Sequence, residues 1–221
     1  MHTKAVLWDM DGTLVDSGDL HFVAWQATLA AEGHPFTMEH HLASFGLRND
    51  AILRRFVDPA ITADAIARLG NAKEQHYRDL VAQHGIAVLL GVRDWLAHLH
   101  AAGWRQAVAS SGPIANINAI IAATELGAFF DALVSGDEVV ESKPHPAIFL
   151  RAAALLDVSP ERCIVVEDAL FGVQAGLAAG MAVIGVGPTH ATLGTAPHVA
   201  GLDELAPTAF DALLAGTAER R

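Results

Sequence analysis

Short apolar runs rich in β-branched residues recur along the chain, each bounded by polar or glycine-containing turns. Runs of this length without strict alternation are typical of strands buried on both faces of a parallel sheet. The pattern predicts strands over residues 5–8, 106–109, 132–134, 163–166 and 182–186.

Segments with helical spacing lie between the later strands. Val92, Trp95 and Leu99 share one helical face, and Gly103 follows as a helix stop signal. A second helical segment follows Pro146. Alternation of strand and helix from about residue 86 predicts an α/β fold, a doubly wound parallel sheet with ligands at the carboxyl ends of its strands.

The region from about residue 17 to residue 85 interrupts this alternation. It shows only helical patterns, including a polar helix over about 62–82, and no strand pattern. We interpret it as an all-helical cap inserted after the first strand. The predicted organisation is a catalytic α/β core of residues 1–16 and 86–221, with a cap of residues 17–85.

Composition limits the class of protein further. The chain has 221 residues, 52% of them apolar and 18% charged, which is typical of a folded domain. Its formal net charge is −11, and Lys and Arg form no cluster longer than a pair. Nucleic-acid binding through a broad basic face is therefore not expected.

Cys163 is the single cysteine and lies in an apolar run, so we expect a buried, reduced thiol and a reducing compartment. The amino terminus lacks the apolar core of a secretory signal. Glycines interrupt the uncharged stretch between Asp168 and Asp203, which argues against a membrane span there. These features predict a cytoplasmic protein that does not associate with membranes.

Two carboxylates follow the first predicted strand directly. Asp9 and Asp11 are two residues apart, so in an extended segment their side chains point the same way. Acidic residues at a strand end often only cap the next turn, but Gly12 allows a sharp turn and a close approach of the backbone to a ligand. We therefore expect both carboxylates to face one pocket.

Other polar groups follow the later strands. Ser110, Ser111 and Gly112 precede a helical segment, where a hydroxyl and free backbone N–H groups suit an anion. Lys143 lies between an acidic loop and two prolines, and a pair of acids follows the strand at 163–166. Together these groups predict a divalent-metal site, a nucleophile, a phosphate cradle and a compensating cation, which phosphoryl transfer requires.

The segments DMDGTLVDS, the Ser110 loop, SKPHPAIF and VVEDALFGVQAGLAAGM resemble the four successive motifs of the haloacid dehalogenase-like hydrolase superfamily. The helical insertion is similar to the α-helical cap of that superfamily. Within it, DSGDLHFVAWQATLAAEG and the SKP motif are similar to the beta-phosphoglucomutase and sugar-phosphate phosphatase branch. The resemblance covers nearly the whole chain.

The resemblance implies specific roles for the core residues. Asp9 would be the nucleophile that forms an aspartyl phosphate, and Asp11 would be the general acid and base. Ser110 would donate a hydrogen bond to the transferring phosphoryl group, while Lys143 would neutralise its charge. Mg²⁺ is the implied cofactor; its ligands would be Asp9, the backbone carbonyl of Asp11, Asp168 and, directly or through water, Glu167.

The cap is expected to determine specificity. By the same resemblance, His21 would contact the substrate or assist proton transfer, Lys73 would reach into the pocket, and Arg48 would bind a far phosphate or the sugar. Ser111 and Gly112 complete the predicted substrate-binding set. Arg48 lies one position earlier than the mutase pattern places its arginine, and the serine of that pattern is absent, which argues against a phosphomutase.

We therefore predict a magnesium-dependent phosphatase for a small phosphorylated metabolite, a sugar or polyol phosphate, active as a monomer or homodimer. The retained Asp11 argues for phosphate chemistry rather than dehalogenation. The alternatives are a beta-phosphoglucomutase-like isomerase with the same core and, from a different class, a non-enzymatic phospho-acceptor module. Such modules are smaller and have no cap.

Overall fold

A five-stranded parallel sheet forms the centre of the molecule. A computed structural model describes residues 3–44, 47–195 and 197–218, and the sheet order within them is β5-β4-β1-β6-β7. A separate antiparallel pair joins β2 to β3. The strands are β1 (Ala5–Trp8), β2 (Val15–Asp16), β3 (Ala87–Val88), β4 (Arg105–Ala109), β5 (Ala132–Val134), β6 (Cys163–Glu167) and β7 (Ala182–Gly185).

Helices cover the sheet and form the inserted region. They are α1 (Gly18–Ala30), α2 (Met38–Leu42), α3 (Asn49–Phe56), α4 (Ala63–His84), α5 (Val92–Ala101), α6 (Ile114–Thr124), α7 (Ala147–Leu156), α8 (Leu170–Ala178) and α9 (Ala209–Ala218). Short 3₁₀ turns lie at Gly127–Phe129, Gly136–Glu138, Pro160–Arg162, His190–Thr192 and Leu202–Glu204. The predicted doubly wound α/β class is confirmed.

Strand β1 shows why the strands read as continuous apolar runs. Val6 and Trp8 point to one face of the sheet, where they pack with residues of α5, α6 and α9. Ala5 and Leu7 point to the other face and pack with residues of α7 and α8. Because both faces are covered, every position of the strand is buried. Cys163 is buried in the second of these cores, as predicted.

The strand order determines where the polar loops lie. In a parallel sheet all strands end at the same edge, and β1 lies between β4 and β6. The loops that follow these three strands are therefore neighbours, although the sequence separates them by about 100 residues and about 60 residues. The residues after each strand meet at this carboxyl edge.

Helices α1–α4 lie in the chain between β2 and β3, and they have an apolar core of their own. Trp25, Leu29, Phe36 and Leu53 are buried in it. The two-residue strands β2 and β3 were not predicted, because a pair of residues carries no periodicity. They join the chain on both sides of the helical region. The division into units at residues 16 and 86 stays a prediction.

In the described ranges, every helix is too short or too polar to cross a membrane. The glycine-rich stretch after Asp168 contains α8, which begins at Leu170, and then β7.

We expect Leu7→Ala to destabilise the protein by about 2–5 kcal/mol, because it leaves a cavity beneath the central strand. Leu7 is fully buried. Leu177→Ala is the matched control, since that side chain is 55% exposed on α8 and its loss should cost well under half as much. Urea denaturation measures both changes, and equal costs would contradict this account of the core.

Candidate active site

Asp9 lies at the centre of the carboxyl edge. It follows β1 directly, and its backbone N–H donates to the carbonyl of Val166 at 3.0 Å, which continues the β1–β6 pairing by one residue. The side chain is almost fully buried. The sheet therefore fixes the position of this carboxylate.

Lys143 connects the loops at this edge. Its Nζ donates to Asp9 Oδ1 at 2.5 Å, to Glu167 Oε1 at 2.6 Å and to the carbonyl of Ala109 at 3.2 Å. Burial would lower the pKa of Lys143, but the charges of Asp9 and Glu167 raise it above its ordinary value. The lysine is therefore charged and uses all three of its protons in fixed contacts.

Glu167 is held from two further sides. Its Oε2 accepts from the backbone N–H of Ala169 at 3.0 Å, which satisfies the second oxygen of the carboxylate. A Cβ at Gly172, on α8, would lie 1.7 Å from Glu167 Oε1, so only glycine fits there. Glu167 is consequently placed to orient Lys143, a contact that sequence reasoning did not predict.

Three carboxylates cluster where the resemblance implied a metal. Oxygens of Asp9, Glu167 and Asp168 lie within 4.8 Å of one another. Burial, then the charge of Glu167, raises the pKa of Asp9 to about 8 in spite of Lys143. Burial, with the charges of Glu167 and Asp9, also raises the pKa of Asp168 well above its ordinary value. Repelling hard oxygen donors of this kind fit Mg²⁺.

Gly12 brings the Asp11 turn against Asp168. It has φ +83°, and a Cβ there would lie 2.1 Å from Asp168 Oδ2. A side chain at this position would be strained and would also occupy the space of the carboxylate. The close approach of the backbone is made to a neighbouring acid of the site, and the predicted approach to a ligand stays a prediction.

Asp11 has a different environment from Asp9. Its Oδ1 lies 3.2 Å from His21 Nε2. Burial would raise the pKa of Asp11, but electrostatic attraction to His21 and hydrogen bonds from His21 and Ser17 hold it at about 2. The two carboxylates that leave β1 together thus differ in protonation, although they are two residues apart.

The loop after β4 forms the next wall. Ser110 is 2% exposed, and its Oγ accepts from the backbone N–H of Gly112 at 3.1 Å. Gly136 closes this loop from behind, since its N–H donates to the carbonyl of Gly112 and a Cβ on it would meet the carbonyl of Ser111 at 2.3 Å. Ser110, Ser111 and Gly112 all line the same cavity as Asp9.

The helical region supplies the opposite wall. His21 on α1 contacts Lys73 Nζ on α4 at 2.9 Å through Nδ1, and its ring stacks on Tyr77 at 4.1 Å. Lys73 is 3% exposed, so its ammonium is buried between the helices. Arg48 is more open and lies 3.8 Å from Asp50 in a loose ion pair.

These walls enclose a cavity of about 1440 Å³. The structure brings together every predicted site residue along its lining, on both the sheet side and the helical side. They are Asp9, Asp11, Ser110, Ser111, Gly112, Lys143, Glu167 and Asp168, with His21, Arg48 and Lys73 opposite.

Sequence reasoning missed several polar residues of this cavity. Buried Glu74 and Asn116 form a hydrogen-bonded cluster with half-buried Asn49, and Arg78 donates to Asn116 Oδ1 at 3.0 Å. No periodicity or motif marks these residues. One signal was available in the sequence: Glu74 follows Lys73 directly, and an acid beside a predicted site lysine is a candidate ion-pair partner.

The fold and site together define an α/β enzyme suited to phosphate chemistry: a carboxylate cluster, a buried lysine and a hydroxyl loop at the carboxyl edge of a parallel sheet. A family model described as haloacid dehalogenase-like hydrolase matches residues 3–180. The chain belongs to the haloacid dehalogenase-like hydrolases. The predicted resemblance is thereby confirmed.

Relatives support the predicted branch of this family. Hexitol phosphatase A of Escherichia coli is 36% identical over 189 residues, with 84% of each chain covered. The beta-phosphoglucomutase of Bacillus subtilis is 32% identical over 200 residues, with 86% of each chain covered. The structure of CbbY from Rhodobacter sphaeroides with xylulose-(1,5)bisphosphate is 30% identical, has a TM-score of 0.82, and the match covers 92% of this chain and 96% of that one.

We expect Mg²⁺ to raise Tm more at pH 8 than at pH 6. The folded-state pKa of Asp9, about 8, exceeds its ordinary value of 3.8. The folded state therefore binds more protons than the unfolded state in this window, and its stability without a cation falls as pH rises. A divalent cation competes with those protons, so its affinity increases over the same window.

Differential scanning fluorimetry with and without Mg²⁺ measures this effect. Asp9→Asn should reduce the increase in Tm at pH 8, whereas Asp64→Asn, which alters an exposed acid of α4 outside the cavity, should leave it unchanged. A larger Mg²⁺ effect at pH 6 than at pH 8 would contradict the assignment of these carboxylates.

Proposed function

We propose that the protein is a magnesium-dependent phosphatase that hydrolyses a phosphorylated sugar or polyol through an aspartyl phosphate on Asp9. The observation that carries the proposal is the geometry around Asp9: a buried carboxylate, ion-paired to Lys143 at 2.5 Å, beside Asp168 and below a cavity. Membership of a hydrolase family favours this over a phospho-acceptor module.

Asp9 supplies the nucleophile in the proposed first step. One of its carboxylate oxygens attacks phosphorus while the bond from phosphorus to the leaving oxygen breaks. Asp11, which takes up a proton as the negatively charged phosphate arrives and raises its pKa, gives that proton to the oxygen, which leaves as the alcohol. Lys143 balances negative charge at Asp9, and the Ser110 loop donates hydrogen bonds to the phosphoryl oxygens.

The second step regenerates the enzyme. Asp11, now ionised, takes a proton from water, and the water oxygen attacks phosphorus. The bond from phosphorus to Asp9 breaks, which releases inorganic phosphate and restores the Asp9 carboxylate. Asp9, Asp168 and Glu167, with the backbone carbonyl of Asp11, would hold Mg²⁺, which when bound neutralises phosphate charge.

Access of water supports hydrolysis over intramolecular transfer. The cavity of about 1440 Å³ is partly open to solvent, so water can reach Asp9 at its floor. A mutase must exclude water from its phosphoenzyme. Incubation with a hexose 1-phosphate separates the two functions: a phosphatase releases inorganic phosphate, whereas a mutase forms the hexose 6-phosphate.

We expect Asp9→Asn to abolish measurable turnover and leave the fold intact. The amide is a poor nucleophile, while its size matches the carboxylate and the buried charge is removed. Turnover of hexitol 6-phosphate and Tm measure the two parts. Acid-quenched wild-type enzyme should carry radiolabelled phosphate that Asp9→Asn lacks. Retained activity in the variant would rule out Asp9 as the nucleophile.

We expect Asp11→Asn to lower kcat for hexitol 6-phosphate by about 100-fold or more, since general acid–base catalysis contributes on that order. Asp19→Asn is the matched control, because that acid lies on the exposed surface of α1 and outside the cavity. Steady-state phosphate release measures both variants. Wild-type kcat in Asp11→Asn would remove this residue from proton transfer.

A further inference from the structure

Glu74 is a buried carboxylate in the cavity wall to which the proposed mechanism gives no role. It lies on α4 directly after Lys73 and is 7% exposed. Its Oε1 accepts from Lys73 Nζ at 3.0 Å and from Asn49 Nδ2 at 2.8 Å, and its Oε2 accepts from Asn116 Nδ2 at 2.6 Å. The partners come from α4, α3 and α6, so one side chain joins three helices.

The contacts keep Glu74 ionised. Burial would raise its pKa, but the charge of Lys73 and the hydrogen bonds from Asn49 and Asn116 outweigh burial and hold the pKa below its ordinary value. Asn116 is itself fixed, because its Oδ1 accepts from Arg78 at 3.0 Å and its amide N–H is thereby directed to Glu74. An acid so fully hydrogen-bonded has little capacity left for a substrate, so its role lies in its protein partners.

Lys73 connects Glu74 to Asp11 through His21. An ammonium only donates hydrogen bonds, so His21 Nδ1 must accept from Lys73 at 2.9 Å. The proton of the neutral ring then lies on Nε2, which faces Asp11 Oδ1 at 3.2 Å. The Lys73 contact therefore selects the tautomer of His21 that donates to Asp11.

We propose that Glu74 is a positioning residue for proton transfer: it orients the Lys73 ammonium toward His21, so that His21 holds Asp11, and it fixes α4 against α6 through Asn116. The inference rests on the proposed function, because it assigns Asp11 the general acid and base. It also gives Lys73 a different role from the expected contact with substrate.

The buried position of the pair explains why Lys73 needs Glu74. Burial lowers the pKa of Lys73, and the charge and hydrogen bond of Glu74 counteract that effect. The Lys73 ammonium is compensated by Glu74 and directs its protons to Glu74 and His21. It therefore orients the His21 ring. A second anionic group of a substrate would find this charge already compensated.

Glu74→Gln tests the proposal because it keeps the shape of the side chain and removes its charge. The amide keeps one accepting oxygen but turns its NH2 group toward a donor, so it cannot satisfy Lys73, Asn49 and Asn116 together, and the Lys73 ammonium loses its counter-charge. We expect kcat/KM for hexitol 6-phosphate to fall on the order of tenfold or more, a part of what general acid catalysis contributes. For p-nitrophenyl phosphate, whose leaving group needs little protonation, the fall should be several-fold smaller.

Two matched variants separate the contributions. Asp79→Asn removes one negative charge from an exposed part of the same helix and should leave both substrates unaffected. Asn116→Ala removes the hydrogen bonds that join α6 to Glu74 and Arg78 but keeps the Lys73–Glu74 pair, and it should lower kcat/KM for both substrates by a similar factor. A larger loss for hexitol 6-phosphate than for p-nitrophenyl phosphate thus indicates that Glu74 positions Asp11. A similar loss for both substrates indicates instead that the packing of α4 against α6 has changed.

The outcomes are distinct. Equal losses on the two substrates, or none, in Glu74→Gln would overturn the inference while an active wild type leaves the proposed function standing. A wild type that hydrolyses neither substrate would overturn both. If Glu74→Gln does not fold by circular dichroism, Glu74→Gln combined with Lys73→Gln removes both charges together and should show the same selective loss.

Discussion

The ion pairs of Lys143 are the interaction on which the site depends. Asp9, Glu167 and Asp168 lie within 4.8 Å of one another at the end of a buried sheet, where like charges repel strongly. Lys143 bonds to two of them and to the carbonyl of Ala109, so it joins the loops after β1, β4 and β6. That cation offsets part of the repulsion among the gathered acids, although burial and the charge of Glu167 still raise the pKa of Asp9 to about 8.

Asp9 and Asp11 illustrate how environment separates two like groups. The pKa of Asp9 is raised to about 8 and that of Asp11 is lowered to about 2, although one strand delivers both. In the proposed reaction each of these pKa values must change in the opposite direction. A divalent cation held by these acids would displace the proton of Asp9 and leave a nucleophilic carboxylate. The negative charge of an arriving phosphate would raise the pKa of Asp11, which would then take up the proton that it donates.

The sequence predicted the strands of the parallel sheet and the polar residues that follow them, because strand burial and strand order determine both. Continuous apolar runs identified the sheet strands to within one residue at each end, and Asp9, Ser110 and Asp168 were found because each follows such a run. Their roles stay predictions. The two-residue strands β2 and β3 and the Glu74 cluster were missed: the first carry no periodicity, and the second depends on how α4 is rotated against α3 and α6, which spacing along the chain does not encode.

The helical wall of the cavity affects whether the phosphoryl group on Asp9 would pass to water or back to the sugar. A mutase substrate presents a second phosphate, which needs cations of its own. Among the described residues that line the cavity, the cationic side chains are Arg48, Lys73, Arg78 and Lys143. Both lysines are paired with carboxylates, and the Ser111 loop adds no cation. Arg48 is loosely paired and Arg78 is bonded to amides. Under the proposed function, this wall would meet the hydroxyl groups of a monophosphorylated sugar or polyol, and water would complete the reaction.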